Sequence, residues 1–412
     1  LERKTLSTVK ARREEDRCAG DSSVSRALMS RPELSDEQKR GVKHITQEKG
    51  GVQVVSGLAG TGKSKMLDAA REAYERDGFT VIGAAPSGIA AKGLEESSGI
   101  KSKTLHRTLS EIKRGDLSLN EKTVLVLDEA GMVGTRQMAD VVEKTGQSGA
   151  KLILVGDEKQ LQSIEAGGGF KALSDELGRA ELKGIRRQRD DWAREAVAAF
   201  SRGDSREALL EYASRGHVTV SDTPKEAKDT LLMDWKKAGV PAPDKNLIIV
   251  GTNIDAKELN QRAQAMRYSA GQLSENGVEA SGYTIHAGDR VVFTRNSSLY
   301  GVQNGSLGVV TEADARSKTI SARLDDGKQV KIPLTKYEDV KLGYAVTTHK
   351  AQGSTFEKTY VLAGGPMQDR ELTYVQASRA RGETHFYMDK AQAGDKLTEI
   401  SRSMAVSHQK SF

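Results

Sequence analysis

The stretch Ser56-Gly57-Leu58-Ala59-Gly60-Thr61-Gly62-Lys63-Ser64 decides the fold. It follows the apolar run GVQVV (51–55) and opens the helix-like segment KMLDAAREAYERDG (65–78). Gly57-x4-Gly62-Lys63-Ser64 between a strand and a helix is the pattern of a loop that cradles phosphates. Glycines let backbone N–H groups approach and point at the ligand, and the helix N-terminus adds a favourable dipole. Gly57, Gly60, Thr61 and Gly62 therefore read as the cradle, with Lys63 neutralising the β- and γ-phosphates. The Ser64 hydroxyl is the expected Mg2+ ligand, and Lys65 continues the binding segment. Many nucleotide enzymes own such a loop, so the rest of the chain has to say which chemistry follows.

Outward from the loop, short β-type runs alternate with helix-like stretches: VQVV (52–55), TVIGAA (80–85), TVLVLDEA (123–130) and KLILVGD (151–157). That alternation predicts a parallel sheet with helices on both faces. A second series, NLIIVGT (246–252), GYAVTT (343–348), KTYVLAG (358–364) and HFYMD (385–389), predicts a second α/β domain of the same plan. Between its members, residues 281–340 read as β, with Asn304-Gly305 and Asp326-Gly327 as hairpin turn signals. A small barrel-like insertion accounts for them. Residues 1–33 are charged and poor in apolar periodicity, which reads as a weakly helical or disordered lead-in.

The 412 residues exceed one ordinary core. Charged residues make up 29%, no apolar run nears membrane-spanning length, and no signal peptide is visible, so the expectation is a cytoplasmic protein. The single cysteine, Cys18, cannot form an internal disulfide, as suits a reducing compartment. A net charge of +6 permits contact with nucleic-acid phosphates without establishing it. The chain begins with Leu1, which reads as a piece of a longer protein.

Hydrolysis at the loop needs a metal-holding carboxylate at a strand end. VLVLDEA supplies Asp128, placed to hold Mg2+, and Glu129, placed to take a proton from the attacking water. Burying such charge at the end of an apolar strand is costly unless it serves a metal or a partner. A third strand ends in Gly156-Asp157-Glu158-Lys159-Gln160, where Gln160 is positioned to sense the γ-phosphate and its water.

These elements, in this order, resemble superfamily 1 helicases of the 1B, RecD-like branch, which includes the helicase portion of TraI/TraA-type (MobF) conjugative relaxases. LSDEQ (34–38) resembles the opening motif, whose glutamine, here Gln38, reads the adenine edge. APSGIAAKGL (85–94) and TLHRTL (104–109) are similar to segments that carry single-stranded DNA, which implies contacts from Pro86, Ser87, Thr104 and His106. GIRRQ (184–188) resembles the fourth motif, implying that Arg187 reaches the γ-phosphate from the second domain. YAVTTHKAQGSTF (344–356) resembles the fifth, implying DNA contacts from Thr348 and His349 and a nucleotide-side role for Gly353. YVQASRAR (374–381) resembles the sixth, with Arg379 as the second arginine finger.

The resemblance thus implies an α/β chain of two RecA-like motor domains, with an SH3-like β-barrel inserted in the second. Its expected parts are the lead-in (1–33), motor domain 1A (34–184) with a very short 1B element near 108–122, motor domain 2A (185–280 and 341–392), the 2B insertion (281–340) and a C-terminal tail (393–412). It implies ATP and Mg2+ as cofactors, single-stranded DNA as partner and 5′→3′ movement as a monomer in a bacterial cytoplasm, alongside other conjugation proteins. Two departures matter. Only SEIKRGDLSLNEK (110–122) separates TLHRTL from the Asp-Glu strand, where relatives insert a duplex-splitting pin. Thr355 stands where some relatives place a ribose-contacting glutamate. The scattered histidines lack metal-ligand spacing, so no nicking activity is expected. The alternatives are a free-standing RecD-like repair helicase and an ATP-switched DNA-binding module without unwinding. A phosphotransferase lacks an acceptor site and leaves Gln160, Arg187 and Arg379 unexplained.

Overall fold

The apolar run before the glycine-rich loop forms strand β1 (Val52–Gly57), which is buried on both faces as a central strand of a parallel sheet must be. The computed structural model describes residues 2–161 and 168–409. They divide into two units, one reaching Arg187 and also taking in Gln409, the other running from Gln188 to His408.

In the first unit β1 joins β2 (Thr80–Ala85), β3 (Ser102–Thr104), β4 (Thr123–Leu127), β5 (Lys151–Gly156) and β6 (Ala180–Leu182) in the order β3-β2-β4-β5-β1-β6. Every pairing is parallel. Strand alternation sends successive side chains to opposite faces. Val55, Val124, Val126 and Ile153 pack with α2 (Asp21–Met29), α3 (Asp36–Gln47), α4 (Lys63–Arg76) and α5 (Gly88–Ser98). Val54, Leu125, Leu127 and Leu154 pack on the other face with α1 (Glu2–Ala11), α6 (Leu105–Arg114), α7 (Thr135–Ser148) and α8 (Gly169–Leu177).

In the lead-in the helical alternative holds. Two helices, α1 and α2, occupy it and place Val9 in one core and Val24 and Ala27 in the other. Arg12, one of the charges of this segment, is buried. Its guanidinium donates to Ala150 O at 2.5 Å and Glu15 Oε2 at 2.8 Å. Gly51 N–H in turn donates to Arg12 O at 2.9 Å, which fixes the lead-in to the start of β1. The stretch 108–122 is helix α6 followed by a loop, and residues 115–122 hold no strand.

The second unit has a parallel sheet of β7 (Val218–Ser221), β8 (Asn246–Val250), β16 (Ala345–Thr347), β17 (Phe356–Leu362) and β18 (Ala380–Asp389), in the order β16-β8-β17-β18-β7. Its helices are α9 (Asp191–Arg202), α10 (Ser205–Ser214), α11 (Pro224–Gly239), α12 (Asn253–Ser269), α13 (Thr348–Ala351), α14 (Arg370–Ala377), α15 (Lys390–Ala393) and α16 (Thr398–Ala405). Strand β16 is a sheet edge, and the Asn260 side chain from α12 satisfies it. Asn260 Nδ2 donates to Ala345 O and Ala345 N–H donates to Asn260 Oδ1, both at 2.8 Å. That replaces the pairing an edge strand otherwise lacks.

The interrupting β segment is an antiparallel sheet of β11 (Arg290–Phe293), β12 (Leu307–Asp314), β13 (Thr319–Leu324), β14 (Gln329–Pro333) and β15 (Val340–Leu342), with a hairpin of β9 (Gly277–Ala280) and β10 (Tyr283–His286) packed on it. The Asp326-Gly327 turn joins β13 to β14, with Gly327 at φ 85°. Asn304-Gly305 instead ends the longer connection from β11 to β12. A buried polar knot ties this sheet to α12. Asp289 accepts from the Tyr344 hydroxyl at 2.5 Å, Gln264 Nε2 at 2.7 Å and His286 N–H at 2.8 Å. No helix of the described residues is long and apolar enough to cross a membrane.

Lys151, at the start of β5, is fully buried; its ammonium donates to Ile45 O at 2.7 Å and lies 5.7 Å from the Tyr74 ring centre. Burial lowers its pKa from the ordinary 10.5 to about 8. The folded chain therefore binds fewer protons than the unfolded one between those values, and stability rises with pH across that window. The gain is on the order of 3 kcal/mol from pH 8 to above 10. Lys151→Met should flatten it in urea unfolding followed against pH; an unchanged slope would show the lysine is not responsible.

Candidate functional site

Because the strands of the first unit run parallel, the loops that follow them open on one edge, where open α/β sheets hold ligands. β1 delivers Gly57–Ser64, β4 delivers Asp128 and Glu129, and β5 delivers Asp157 and Gln160. These three strands are consecutive in the sheet. β2 and β3 deliver Pro86, Ser87, Thr104 and His106 beside them, with Ala85 paired to Thr104. Asp128 N–H donates to Ala84 O at 2.9 Å, so the two groups share a backbone link.

In the loop, Gly60 and Gly62 take φ of 81° and 82°, and Gly62 caps α4. A Cβ on Gly62 would collide with Gln38 Nε2, and one on Gly60 would come within 2.6 Å of Arg187 Cβ. The Lys63 ammonium donates to Gly57 O at 2.7 Å and Leu58 O at 3.1 Å, which holds it over the loop. The buried Thr61 hydroxyl donates to Leu58 O at 2.8 Å, whereas Lys65 is exposed on α4. Gln38 is buried, donating from Nε2 to Gly62 O at 2.9 Å and accepting the Ser35 N–H on Oε1 at 2.9 Å. It locks the cap of α3 to the loop.

Burial pushes the Asp128 carboxyl up, against the pull of the Lys63 charge and of the Glu129 N–H that donates to its Oδ1 at 2.9 Å. Glu129 itself sits in the left-handed region at φ 51° and ψ 38°. Such backbone costs on the order of 1–3 kcal/mol and concentrates at working sites. Gln160 Nε2 donates to Asp157 Oδ2 at 3.1 Å, while Asp157 Oδ1 accepts from Lys159 N–H at 2.9 Å. Asp157 thus orients Gln160. The sequence reading did not assign it a role, although its place after a strand and before a turn was a usable signal. The Ser64 hydroxyl and the Asp128 carboxylate form an all-oxygen donor set, which fits Mg2+.

Arg187 departs from the expected placement. It belongs to the first unit, because Arg186 N–H donates to Gly60 O at 2.8 Å and Glu37 Oε2 accepts from Lys183 and Gly184 N–H at 3.1 and 3.0 Å. The chain from Leu182 to Arg187 is laid along the glycine-rich loop before it crosses to the second unit.

Within the second unit Arg379 is 1% exposed, with Nη2 donating to Ser378 Oγ at 2.7 Å and Nε to Val375 O at 3.1 Å. Gly353 takes φ 83° in an open turn nearby, and Arg379 Nη1 reaches Ser354 O at 3.5 Å. Ser87 and His106 are exposed, and Ser87 and Thr104 cap α5 and α6. His349 is also exposed, its imidazole shifted down by desolvation and so held neutral near pH 7.

Thr348 is the exception among the expected DNA contacts. At 1% exposure, its hydroxyl donates to Val250 O at 3.3 Å and accepts from Gln376 Nε2 at 3.1 Å. First in α13, it points under the surface that its neighbour His349 lines. Beside that turn lies a groove of about 290 Å³ lined by Asn253, Lys257, Lys341, Thr347 and Lys350. Lys350 falls within the 344–356 stretch, whereas Lys257 and Lys341 lie outside it, so only the fold brings Lys257 to the same groove.

Gly62→Ala and Gly78→Ala isolate the loop contact. Both glycines are left-handed, at φ 82° and 78°, but nothing lies within 4 Å of a Cβ on Gly78. The backbone conformation alone should cost about 1–2 kcal/mol in each. Gly62→Ala should lose clearly more in thermal unfolding, because it also displaces Gln38; equal losses would remove Gln38 from the loop's support.

Residues 33–223 match a family model described as an AAA domain. The probable conjugal transfer protein TraA of Sinorhizobium fredii is 39% identical over 365 residues, covering 86% of this chain and 32% of that protein. The ATP-dependent RecD2 DNA helicase of Deinococcus radiodurans is 29% identical over 371 residues, covering 88% of this chain and 50% of that protein. The chain thus spans about a third to a half of the length of these relatives. Among solved structures, the Bacteroides Pif1 helicase in complex with ADP-AlF3 and ssDNA superposes with a TM-score of 0.56 at 21% identity, over 88% of this chain and 94% of that one. That likeness is one of fold, two RecA-like α/β units in one chain. Residues 33–223 thus match the AAA domain model, and over most of its length the chain is similar to TraA conjugal transfer proteins and to a RecD-type helicase.

Proposed function

We propose that this chain is an ATP-driven single-stranded DNA translocase and helicase, acting as the motor portion of a conjugative DNA-transfer protein. The observation that carries the reading is the shared edge of the first unit. There the phosphate loop, Asp128, Glu129 and Gln160 stand on β1, β4 and β5, and the candidate DNA contacts stand on the adjoining β2 and β3.

Lys63 and the N–H groups of Gly60–Ser64 bind and orient the triphosphate. Glu129 takes the proton of the attacking water, and Gln160, oriented by Asp157, positions that water. Ser64 and Asp128 would hold Mg2+, which would screen the developing negative charge. Arg187 and Arg379 are the charge-stabilising groups, a role worth roughly 10^3–10^5 in turnover for such arginines. Backbone phosphates of DNA run past Pro86, Ser87, Thr104 and His106 in the first unit and past His349, Lys257, Lys341 and Lys350 in the second. With aromatics at 5% of the chain, these contacts are mainly electrostatic and sequence-tolerant. The resemblance to the 1B branch supplies the 5′→3′ direction. Action as a monomer in the bacterial cytoplasm, beside other conjugation proteins, is part of the same reading.

A translocase with little unwinding is the second reading, favoured by residues 105–122 forming one helix and a strandless loop where a pin would stand. Streptavidin displacement from the 5′ or 3′ end of an oligonucleotide, run beside forked-duplex unwinding, separates the two. We expect displacement from the 3′ end, since the motor runs toward it, with weaker unwinding. Nucleotide-dependent DNA affinity without displacement would leave only a switched binding module.

Lys63→Ala should abolish DNA-stimulated ATPase activity. Glu129→Gln should retain ATP binding and reduce hydrolysis by about 10^2–10^4-fold, the usual weight of a general base. Glu129→Gly should also lose hydrolysis yet keep or raise the melting temperature, because it relieves a left-handed glutamate. Equal turnover with and without DNA in the unmodified chain would sink the motor reading.

A further inference from the structure

Four buried polar side chains of the second unit, Thr348, Gln368, Thr373 and Gln376, form one hydrogen-bonded chain. Gly364 N–H donates to Gln368 Oε1 at 3.0 Å. Gln368 Nε2 donates to Thr373 Oγ1 at 2.7 Å and to Gln376 Oε1 at 3.1 Å. Gln376 Nε2 donates to Thr348 Oγ1 at 3.1 Å, and the Thr348 hydroxyl ends the chain on Val250 O at 3.3 Å. Both ends of the Gln376 amide are used, although its side chain is wholly buried.

The path crosses the C-terminal ends of three neighbouring strands. Val250 ends β8, Thr348 follows β16, and Gly364 lies just past β17. Of these, the β16 end borders the groove, whose lining includes Thr347, Lys350, Lys257 and Lys341, and exposed His349 lies beside it in the chain. At its other side the chain is rooted in α14, whose C-terminal turn holds Arg379 through Val375 O and Ser378 Oγ. A polar chain in a dry interior holds its members in one arrangement, because each unmade bond strands a partner away from water. An element on one side of Gln376 therefore cannot shift without moving the element on the other.

Resting on the motor reading above, we infer that Gln376 is a positioning residue that ties the DNA-side turn Thr347–Lys350 to helix α14, whose C-terminal end holds Arg379. The Gln376–Thr348 hydrogen bond is thus the link through which bound DNA raises ATP turnover. Gln376 touches neither nucleotide nor DNA; it makes their two supports one mechanical piece.

A double-mutant cycle tests it, with ATPase rates measured with and without oligo-dT. Gln376→Met keeps length and apolar fit but removes the amide. It should lower the DNA-stimulation factor by roughly tenfold, within the usual range of coupling between sites, while leaving DNA-free turnover and the ATP KM as they are. Thr348→Val should lower the factor similarly, and Thr348→Ser, which keeps the hydroxyl, should preserve it. The double variant Thr348→Val, Gln376→Met should lose no more than either single variant, since both remove the same bond. Multiplying losses, or losses that appear equally in DNA-free turnover and track the melting temperature, would overturn the inference. Retained stimulation in Gln376→Met would overturn it too and leave the motor reading standing. No stimulation in the unmodified chain would overturn the motor reading and the inference with it.

Discussion

The Asp128 carboxylate at the end of a fully buried strand is the constraint on which the first unit depends. Burial alone would drive that carboxyl toward its neutral form, and the Lys63 charge and the Glu129 N–H oppose it. Lys63 is available because β1 ends in a glycine-rich loop, and Glu129 N–H is available because the chain turns left-handed there. Each feature makes sense only beside the others. Separately they are a glycine turn, an acidic pair and a strained residue; together they stand on one edge of one sheet.

The second unit solves a different problem. Its sheet has β16 at one edge and carries a separate antiparallel sheet between β8 and β16 in the chain. Asn260 supplies the missing backbone partner to Ala345, and Asp289 with Tyr344, Gln264 and His286 clamps the inserted sheet where it leaves and rejoins. Buried polar groups of this kind constrain geometry more than they add net stability. The Gln368–Gln376–Thr348 chain belongs to the same class of device, placed beside a groove lined by lysines.

Much of the architecture was legible. The strand runs at 52–55, 80–85, 123–130 and 151–157 became β1, β2, β4 and β5, because strands buried on both faces read as continuous apolar segments. β3, β6 and β7 were not foreseen. They are short and take their pairing from neighbours rather than from an apolar pattern of their own. That the lead-in docks on the sheet was not legible, because its anchor, Arg12, is a charge that the fold buries against Ala150 O and Glu15. Thr348 misled in the opposite direction, since a hydroxyl in a DNA-side motif turned inward toward Val250 and Gln376.

By itself the sequence determined the two α/β units, the phosphate loop and the carboxylate and glutamine candidates, because each depends on local spacing along one strand and its following turn. Only the tertiary structure decided that Arg187 lies along the loop of the first unit, that Asp157 orients Gln160 and that Lys257 joins Lys341 and Lys350 in one groove. It alone decided, too, that Gln376 meets Thr348. Those facts depend on which strand ends lie side by side, and strand order is set by packing over the whole sheet rather than by any stretch of chain.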